Sequence, residues 1–110
     1  MTLHTKPPLP GAVLKHQILN ARNVKQSELA SAMGVSRVRI CQIVNGRAPI
    51  TPEMALRIAR VTDTSAEYWL RLQMDFDLLQ ASSKLQAELE SLPKICAIGI
   101  KARPRTLRAG

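Results

Sequence analysis

A tight turn between two short helical patterns constrains the fold of this chain more than any other feature. Residues 26–47 read QSELASAMGVSRVRICQIVNGR. The first pattern has three apolar residues at helical spacing: Leu29, Ala30 and Met33. Gly34 follows, where a chain leaving a helix commonly adopts a left-handed conformation, and Ser36 then suits the N-cap of a second helix. The pattern predicts two helices joined by a short turn.

The second helix of the pair has one apolar and one polar face. Its apolar stripe consists of Ile40, Ile43 and Val44. At ~100° per residue, Val38, Gln42 and Asn45 then point to solvent on the opposite side. A helix with such a face fits the major groove of DNA, where amide and guanidinium groups read base edges and apolar side chains contact thymine methyls. We interpret the pair as a helix-turn-helix; an ordinary αα-hairpin with a solvated face is the alternative.

The distribution of charge favours the DNA-binding interpretation. The chain has 110 residues and a formal net charge of +8. Residues 11–62 carry eight Lys or Arg and two acids, whereas residues 63–92 carry two Lys or Arg and six acids. A basic block that coincides with the helix-turn-helix, beside an acidic block, indicates a nucleic-acid face and a protein face. We therefore predict double-stranded DNA as a partner and consider a pure protein-interaction bundle less consistent with the charges.

The remaining patterns are helical too and predict an all-α chain of five helices. Residues 1–10, with three prolines, are expected to form an arm, 11–81 the helix-turn-helix domain, and 82–110 a helical extension with a basic flexible tail. The first helix should run from Gly11 to about Ala21. The fourth should begin at the Thr51-Pro52 cap and end at Thr62. Its expected apolar face is Met54, Leu56, Ile58, Ala59 and Val61.

The fifth predicted helix opens at residues 65–67 and continues to Leu92, before Pro93. Its apolar surface exceeds what a helix packed on one side of a small bundle requires. We expect Trp69, Leu78 and Leu79 to form a homodimer contact, because a two-fold operator needs one recognition helix per half-site. A plain core helix with a single tryptophan is the alternative.

Other functional classes leave few signals in the sequence. No apolar run approaches the roughly 18 residues of a membrane span and the N-terminus has no export signal, so we expect a cytoplasmic protein without a membrane partner. His4 and His16 are isolated, and neither metal-ligand spacing nor a phosphate loop is found, which predicts no enzyme activity, metal or cofactor. Cys41 and Cys96 are expected to be free thiols. A small basic ribonuclease also fits the charge, but such an enzyme usually needs a β-sheet.

Three segments, PPLPGAVLKHQIL, QSELASAMGVSRVRICQIVNGRAPITPEMALRIARV and TSAEYWLRLQMDFDLLQA, resemble the HigA group of antitoxins. This group lies within the XRE family, the Cro and phage-repressor class of helix-turn-helix domains. The resemblance covers about residues 8–81 and implies a lambda-repressor-like fold. It also implies a homodimer that binds and represses its own operon and neutralises a RelE/HigB-like toxin, an mRNA-cleaving ribonuclease. A prophage-type repressor without a toxin partner is the alternative.

The resemblance places base-reading positions on Arg37, Val38 and Gln42. It places phosphate-binding positions on Gln26 and Asn45. We add Ser36, Arg39 and Arg47 to the phosphate-binding set, the two arginines from charge and placement alone. The chain departs from the family pattern at Cys41, where serine is usual, and at Ala66, where proline is frequent.

The end of the chain allows two interpretations. Ile95, Ala97, Ile98 and Ile100 precede the basic segment KARPRTLRAG. The segment is either a disordered end attracted to phosphate or a part that becomes ordered on a partner. In the second case it adds a strand to the toxin's sheet or lays Arg103, Arg105 and Arg108 over the DNA backbone.

Overall fold

The computed structural model describes residues 7–95, which fold into helices. The elements are α1 (Pro10–Leu14), a π-helical segment (Lys15–Asn20), α2 (Gln26–Met33), α3 (Arg37–Val44), α4 (Pro52–Thr62) and α5 (Ala66–Ser91). Counting α1 and its π-helical continuation as one, these are five helices, and the described residues contain no strand. The predicted all-α, five-helix architecture is confirmed.

The chain divides into two units, Met1–Gln80 and Ala81–Gly110, of which residues 7–80 and 81–95 are described. The first unit holds a single hydrophobic core. Its buried apolar residues are Leu14, Ile18, Leu19, Leu29, Ala30, Met33, Ile40, Ile43, Val44, Ile50, Met54, Ala55, Ile58 and Trp69. In the second unit every described residue is exposed. Across both described parts, no helix combines the length and the apolar character needed to cross a membrane.

The first helix differs from the regular α-helix that the sequence predicts. After Leu14 the hydrogen bonding widens, and the Ala21 amide donates to the carbonyl of His16, five residues earlier, at 3.1 Å. The neighbouring residues Ile18 and Leu19 are both buried in this segment. In a regular α-helix, neighbouring side chains point about 100° apart. The wider π turn has more residues per turn and reduces this angle, which lets Ile18 and Leu19 both face the core.

The turn between α2 and α3 forms as predicted. Gly34 has φ 74°, a left-handed conformation that a residue with a Cβ adopts only at a cost, and it ends α2. The Val35 amide donates to the carbonyl of Ala30 at 3.0 Å. Ser36 is extended, and its Oγ accepts the Arg39 amide at 3.1 Å, which caps α3. Three residues therefore separate α2 from α3, which begins as a short helix of its own.

Helix α4 has the predicted cap but a different buried face. The Thr51 hydroxyl accepts the Met54 amide at 3.2 Å, and Pro52 occupies the first turn. Leu56 is 64% exposed and Val61 is 38% exposed, so the prediction that both belong to the apolar face is wrong. Thr62 is buried instead, because its hydroxyl donates to the carbonyl of Ile58 at 2.6 Å and so satisfies its polar atom within the helix.

Helix α5 begins with a serine cap. The Ser65 hydroxyl accepts the Tyr68 amide at 3.2 Å and donates to the Glu67 carboxylate at 2.9 Å. The backbone N–H of Glu67, the Ser65 hydroxyl and the charge of Arg71 together hold the pKa of Glu67 below its usual value. This stabilisation is present above the unfolded pKa and is lost as the pH falls through the lowered folded pKa.

Trp69 anchors α5 in the core of the first unit. Its side chain has no exposed surface, and its indole Nε1 donates to the Thr64 hydroxyl at 2.8 Å. The prediction that Trp69 contributes to a dimer contact is wrong, because a side chain enclosed by its own protomer has no surface to offer a partner. Leu78, by contrast, is 59% exposed, and Leu79 is half-buried.

Helix α1 approaches α3 closely at Gly11. A Cβ added to Gly11 would overlap the backbone carbonyl oxygen of Ile43, an atom that a side-chain rearrangement cannot remove. Ile43 and its neighbour Val44 are both buried. The missing side chain of Gly11 therefore sets the distance between the first helix and α3.

Replacement of Trp69 by alanine should destabilise the protein strongly. We expect a loss of about 3–5 kcal/mol, since the change removes the largest buried side chain and leaves the Thr64 hydroxyl without its indole partner. The measurement is urea unfolding followed by circular dichroism. The matched control is Leu56→Ala at an exposed site, where the loss should stay within about 0.5 kcal/mol. Equal losses would contradict this assignment of the core.

Gly11→Ala should also destabilise the protein. Alanine has a helix propensity better by about 1 kcal/mol, but the overlap with the Ile43 carbonyl should outweigh this gain and give a net loss of about 1–3 kcal/mol. Ala12→Gly, at the exposed neighbouring position, reports the propensity effect alone. A Gly11→Ala variant with a higher melting temperature than the wild type would show that the two helices do not approach as closely as described.

Candidate nucleic-acid interface

The outer face of α3 carries the predicted base-reading residues. Val38 is 63% exposed, and Arg37 and Gln42 are exposed as well. On the opposite side, Ile40 and Ile43 are almost completely buried. An α-helix with its side chains is about 10–12 Å in diameter, which fits a major groove about 12 Å wide. The core thus holds one face of the helix and leaves the other free for base edges.

An arginine of α4 forms a hydrogen bond to the C-terminal end of α2. The Nη1 of Arg57 donates to the carbonyl of Met33 at 2.7 Å, and its Nη2 lies 3.1 Å from a carboxylate oxygen of Glu53. The Met33 carbonyl lies in the last turn of α2, where carbonyl oxygens accept no hydrogen bond from an amide of their own helix. Arg57 therefore stabilises the start of the turn that leads to α3. Sequence reasoning missed this role, although the Glu53–Arg57 spacing of four residues was a signal.

The C-terminal end of α3 is held by contacts that sequence reasoning also missed. The Asn45 side-chain amide donates to the Sγ of Cys41 at 3.3 Å. The backbone amides of Arg47 and Ala48 donate to the carbonyl of Gln42 at 2.8 and 3.2 Å. The half-buried Cys41 thus orients Asn45, and the loop that carries Arg47 is attached directly to the residue expected to read a base.

The expected phosphate-binding residues lie at helix ends. Ser36 and Arg39 are exposed at the front of α3, and Asn45 and Arg47 are exposed just after its last turn. The half-buried Gln26 is the first residue of α2. Beside it, the Glu28 carboxylate accepts the Lys25 amide at 2.9 Å. The Glu28 carboxylate thus accepts a hydrogen bond from one of the amides at the N-terminus of α2. Its negative charge also opposes the approach of a phosphate to that helix end.

The eight cations of the basic block divide into two groups. Arg22 and Arg57 donate to backbone carbonyls, Arg22 through its Nη1 to the carbonyl of Thr62 at 2.9 Å. These two arginines have structural roles. The exposed cations outside this pair are Lys15, Lys25, Arg37, Arg39, Arg47 and Arg60. Half of that second group lies in α3 or in the loop that follows it, which concentrates positive potential beside the exposed face of the helix.

Part of the sequence-based expectation lies outside the described residues. This applies to His4, Cys96 and the segment from Ala97 onward, including Arg103, Arg105 and Arg108. Of the predicted apolar end, Ile95 is described and is 48% exposed. Within residues 7–95, no three His, Cys, Asp or Glu side chains lie close enough together to hold a metal ion.

Comparison with known proteins agrees with this geometry. A family model described as helix-turn-helix matches residues 16–69. The HTH-type transcriptional regulator YbaQ of Escherichia coli is 34% identical over 85 residues, which cover 77% of this chain and 75% of the relative. The antitoxin HigA-1 of Vibrio cholerae is 30% identical over 83 residues, which cover 76% of this chain and 78% of the relative.

A solved structure is similar as well. The antitoxin HigA of Pseudomonas aeruginosa, determined with the higBA promoter, aligns with a TM-score of 0.76 at 30% identity, and the alignment covers 81% of this chain and 97% of that chain. The fold, the sequence similarity and the exposed face of α3 thus all indicate a helix-turn-helix protein that binds DNA. The chain belongs to the helix-turn-helix family, in the XRE-type group of DNA-binding regulators that includes the HigA antitoxins.

Proposed function

We propose that this protein is an antitoxin that represses its own operon as a homodimer and neutralises a RelE/HigB-like ribonuclease toxin. The observation that carries the DNA-binding part is the free face of α3, where Val38 and Gln42 are exposed one helical turn apart and Arg37 lies at the leading end. The antitoxin part is supported by the similarity to HigA proteins.

We assign base recognition to Arg37, Val38 and Gln42. A guanidinium group binds guanine O6 and N7 through two hydrogen bonds, and a glutamine amide binds adenine N6 and N7 in the same way. The exposed valine offers methyl groups for contact with a thymine methyl. The three residue types therefore select different bases from a single helix face.

We assign phosphate contacts to Gln26, Ser36, Arg39, Asn45 and Arg47. Such contacts position a protein on the duplex without reading its sequence. The Ser36 hydroxyl accepts the Arg39 amide, and its own hydrogen remains available to a phosphate oxygen. Asn45 donates one amide hydrogen to Cys41 and retains the second. Each of the two side chains can thus keep its hydrogen bond within the protein and still donate one to a phosphate oxygen.

The homodimer is proposed from the symmetry of operators and from α5. Two half-sites require two recognition helices, and one interface that pairs with itself supplies both. Leu78 is 59% exposed on α5 and so offers apolar surface that a second protomer can cover. We therefore place Leu78 and Leu79 at the contact between protomers.

Arg37→Ala should weaken binding to the operator by about 1–3 kcal/mol and relax the preference at one base pair per half-site. Arg47→Ala should weaken binding to all duplexes alike and reduce the salt slope by about one. Fluorescence anisotropy with the upstream DNA and a scrambled duplex, at several salt concentrations, separates the two effects. Arg60→Ala removes an exposed cation from α4 and serves as the charge-matched control. Equal losses on both duplexes for Arg37→Ala would falsify the base-reading assignment.

Charge at the proposed dimer contact should separate the protomers. We expect sedimentation equilibrium to show a dimer for the wild type and a shift toward monomer for Leu78→Lys, alone and with Leu79→Lys, since a buried unpaired ammonium is costly. Leu56→Lys alters a leucine of similar exposure on α4 and should leave the dimer intact. A wild-type protein that is monomeric at micromolar concentration rules out the homodimer.

Toxin neutralisation is tested by co-expression with the product of the adjacent open reading frame. We expect the two proteins to co-purify and the growth arrest caused by the second protein alone to be relieved. Arg37→Ala, which changes a residue assigned here to base recognition, is expected to retain this protection. Operator binding without any association would identify the protein as a repressor that acts without a toxin.

A further inference from the structure

The loop between α3 and α4 is attached to two different helices through its backbone amides. The amides of Arg47 and Ala48 donate to the carbonyl of Gln42 in α3, at 2.8 and 3.2 Å. The amide of Ile50 instead donates to the side-chain Oε1 of Gln73 in α5, at 2.8 Å. Arg47 therefore lies on a segment that is held to α3 at one end and to α5 at the other.

Gln73 supplies the acceptor that the Ile50 amide needs. The Ile50 side chain is 2% exposed, so this residue belongs to the core, and a backbone N–H left there without a partner is costly. The preceding residue, Pro49, has no N–H that could take over the attachment to α5. Removal of the Gln73 acceptor would therefore release this end of the loop.

The amide group of Gln73 is oriented by a second contact. Its Nε2 donates to a carboxylate oxygen of Asp77, one turn further along α5, at 2.9 Å. An ionised carboxylate only accepts hydrogen bonds, and the backbone amide of Ile50 only donates one. The two neighbours thus require the nitrogen of Gln73 to face Asp77 and its oxygen to face Ile50.

Side chains do not fill the space between the loop and α5. A cavity of about 170 Å³ lies there, bordered among others by Arg47, Pro49, Gln73, Phe76 and Asp77. Close packing therefore does not fix the loop on this side. Arg47 and Asp77 have opposite charges and border the same cavity, yet they form no ion pair with each other within residues 7–95. The guanidinium charge of Arg47 thus remains available to DNA.

We propose that Gln73 is a positioning residue for DNA binding, which holds the backbone of Arg47 where its guanidinium reaches a phosphate oxygen. The inference rests on the phosphate contact proposed above for Arg47. A loop that is already fixed does not have to be ordered when DNA binds, and this lowers the cost of binding. Asp77 contributes through Gln73, because it keeps the Gln73 oxygen directed at Ile50.

Gln73→Met tests the proposal, since it keeps the length of the side chain and removes both hydrogen bonds. We expect the affinities for the operator and for a scrambled duplex to fall alike, by about three- to tenfold, the factor that one hydrogen bond contributes. The salt slope should decrease by up to about one, as for the loss of one phosphate contact. Fluorescence anisotropy at several salt concentrations, below the melting temperature of each variant, measures both. Gln80→Met, at an exposed glutamine of the same helix, is the matched control.

A double-mutant cycle and a rescue variant distinguish positioning from general stabilisation. In an Arg47→Ala background, Gln73→Met should cause no further loss of affinity, because the side chain that it positions is absent. Gln73→Glu should weaken binding, since it places a second carboxylate against Asp77. Gln73→Glu combined with Asp77→Asn should restore binding at the net charge of the wild type: the introduced amide donates to the introduced carboxylate, which still accepts the Ile50 amide.

The outcomes separate this inference from the proposed function. If Gln73→Met binds both duplexes like the wild type while Arg47→Ala weakens binding, the inference is wrong and the phosphate contact of Arg47 stands. Additive losses from Gln73→Met and Arg47→Ala, or a lower affinity with an unchanged salt slope, would show that Gln73 acts on stability alone and would also overturn the inference. If Arg47→Ala leaves DNA binding unchanged, the proposed phosphate contact fails and the inference fails with it.

Discussion

The burial of one side of α3 is the constraint on which the rest of the structure depends. Ile40 and Ile43 have almost no exposed surface, and the backbone of Ile43 lies against Gly11 of the first helix. Because α3 has only eight residues, these contacts determine its orientation. The opposite side of the helix is consequently free, and Val38 and Gln42 remain exposed there. Binding to DNA then requires little reorganisation of this helix.

Charge in the basic block serves stability and DNA binding through different residues. Arg57 satisfies the end of α2 and pairs with Glu53, while Arg22 satisfies the end of α4 through the Thr62 carbonyl. These two guanidinium groups bridge helices that are distant in the chain. The exposed arginines of α3 have no such internal partner among the described residues, so their charge is available to phosphates and bases. Net charge alone does not distinguish these roles.

Helix α5 combines two environments in 26 residues. Near its start, Trp69 completes the core of the first unit through apolar contact and through its hydrogen bond to Thr64. In the second unit the same helix has no buried residue. The sequence-based dimer contact was therefore misplaced at Trp69, whereas its assignment to Leu78 and Leu79 stays a proposal.

The sequence by itself determined the features that depend on neighbouring residues. Local patterns predicted the α2–α3 turn at Gly34, the caps at Ser36 and Thr51, and the exposed side of α3, because periodicity and capping act within a few residues. The tertiary structure decided which apolar residues reach the core, and it placed Trp69 inside and Leu56 outside. It also decided that Arg57 binds a carbonyl 24 residues away and that Arg22 binds one 40 residues away. Such contacts depend on how helices meet in space, and a pattern along one helix contains no information about that meeting.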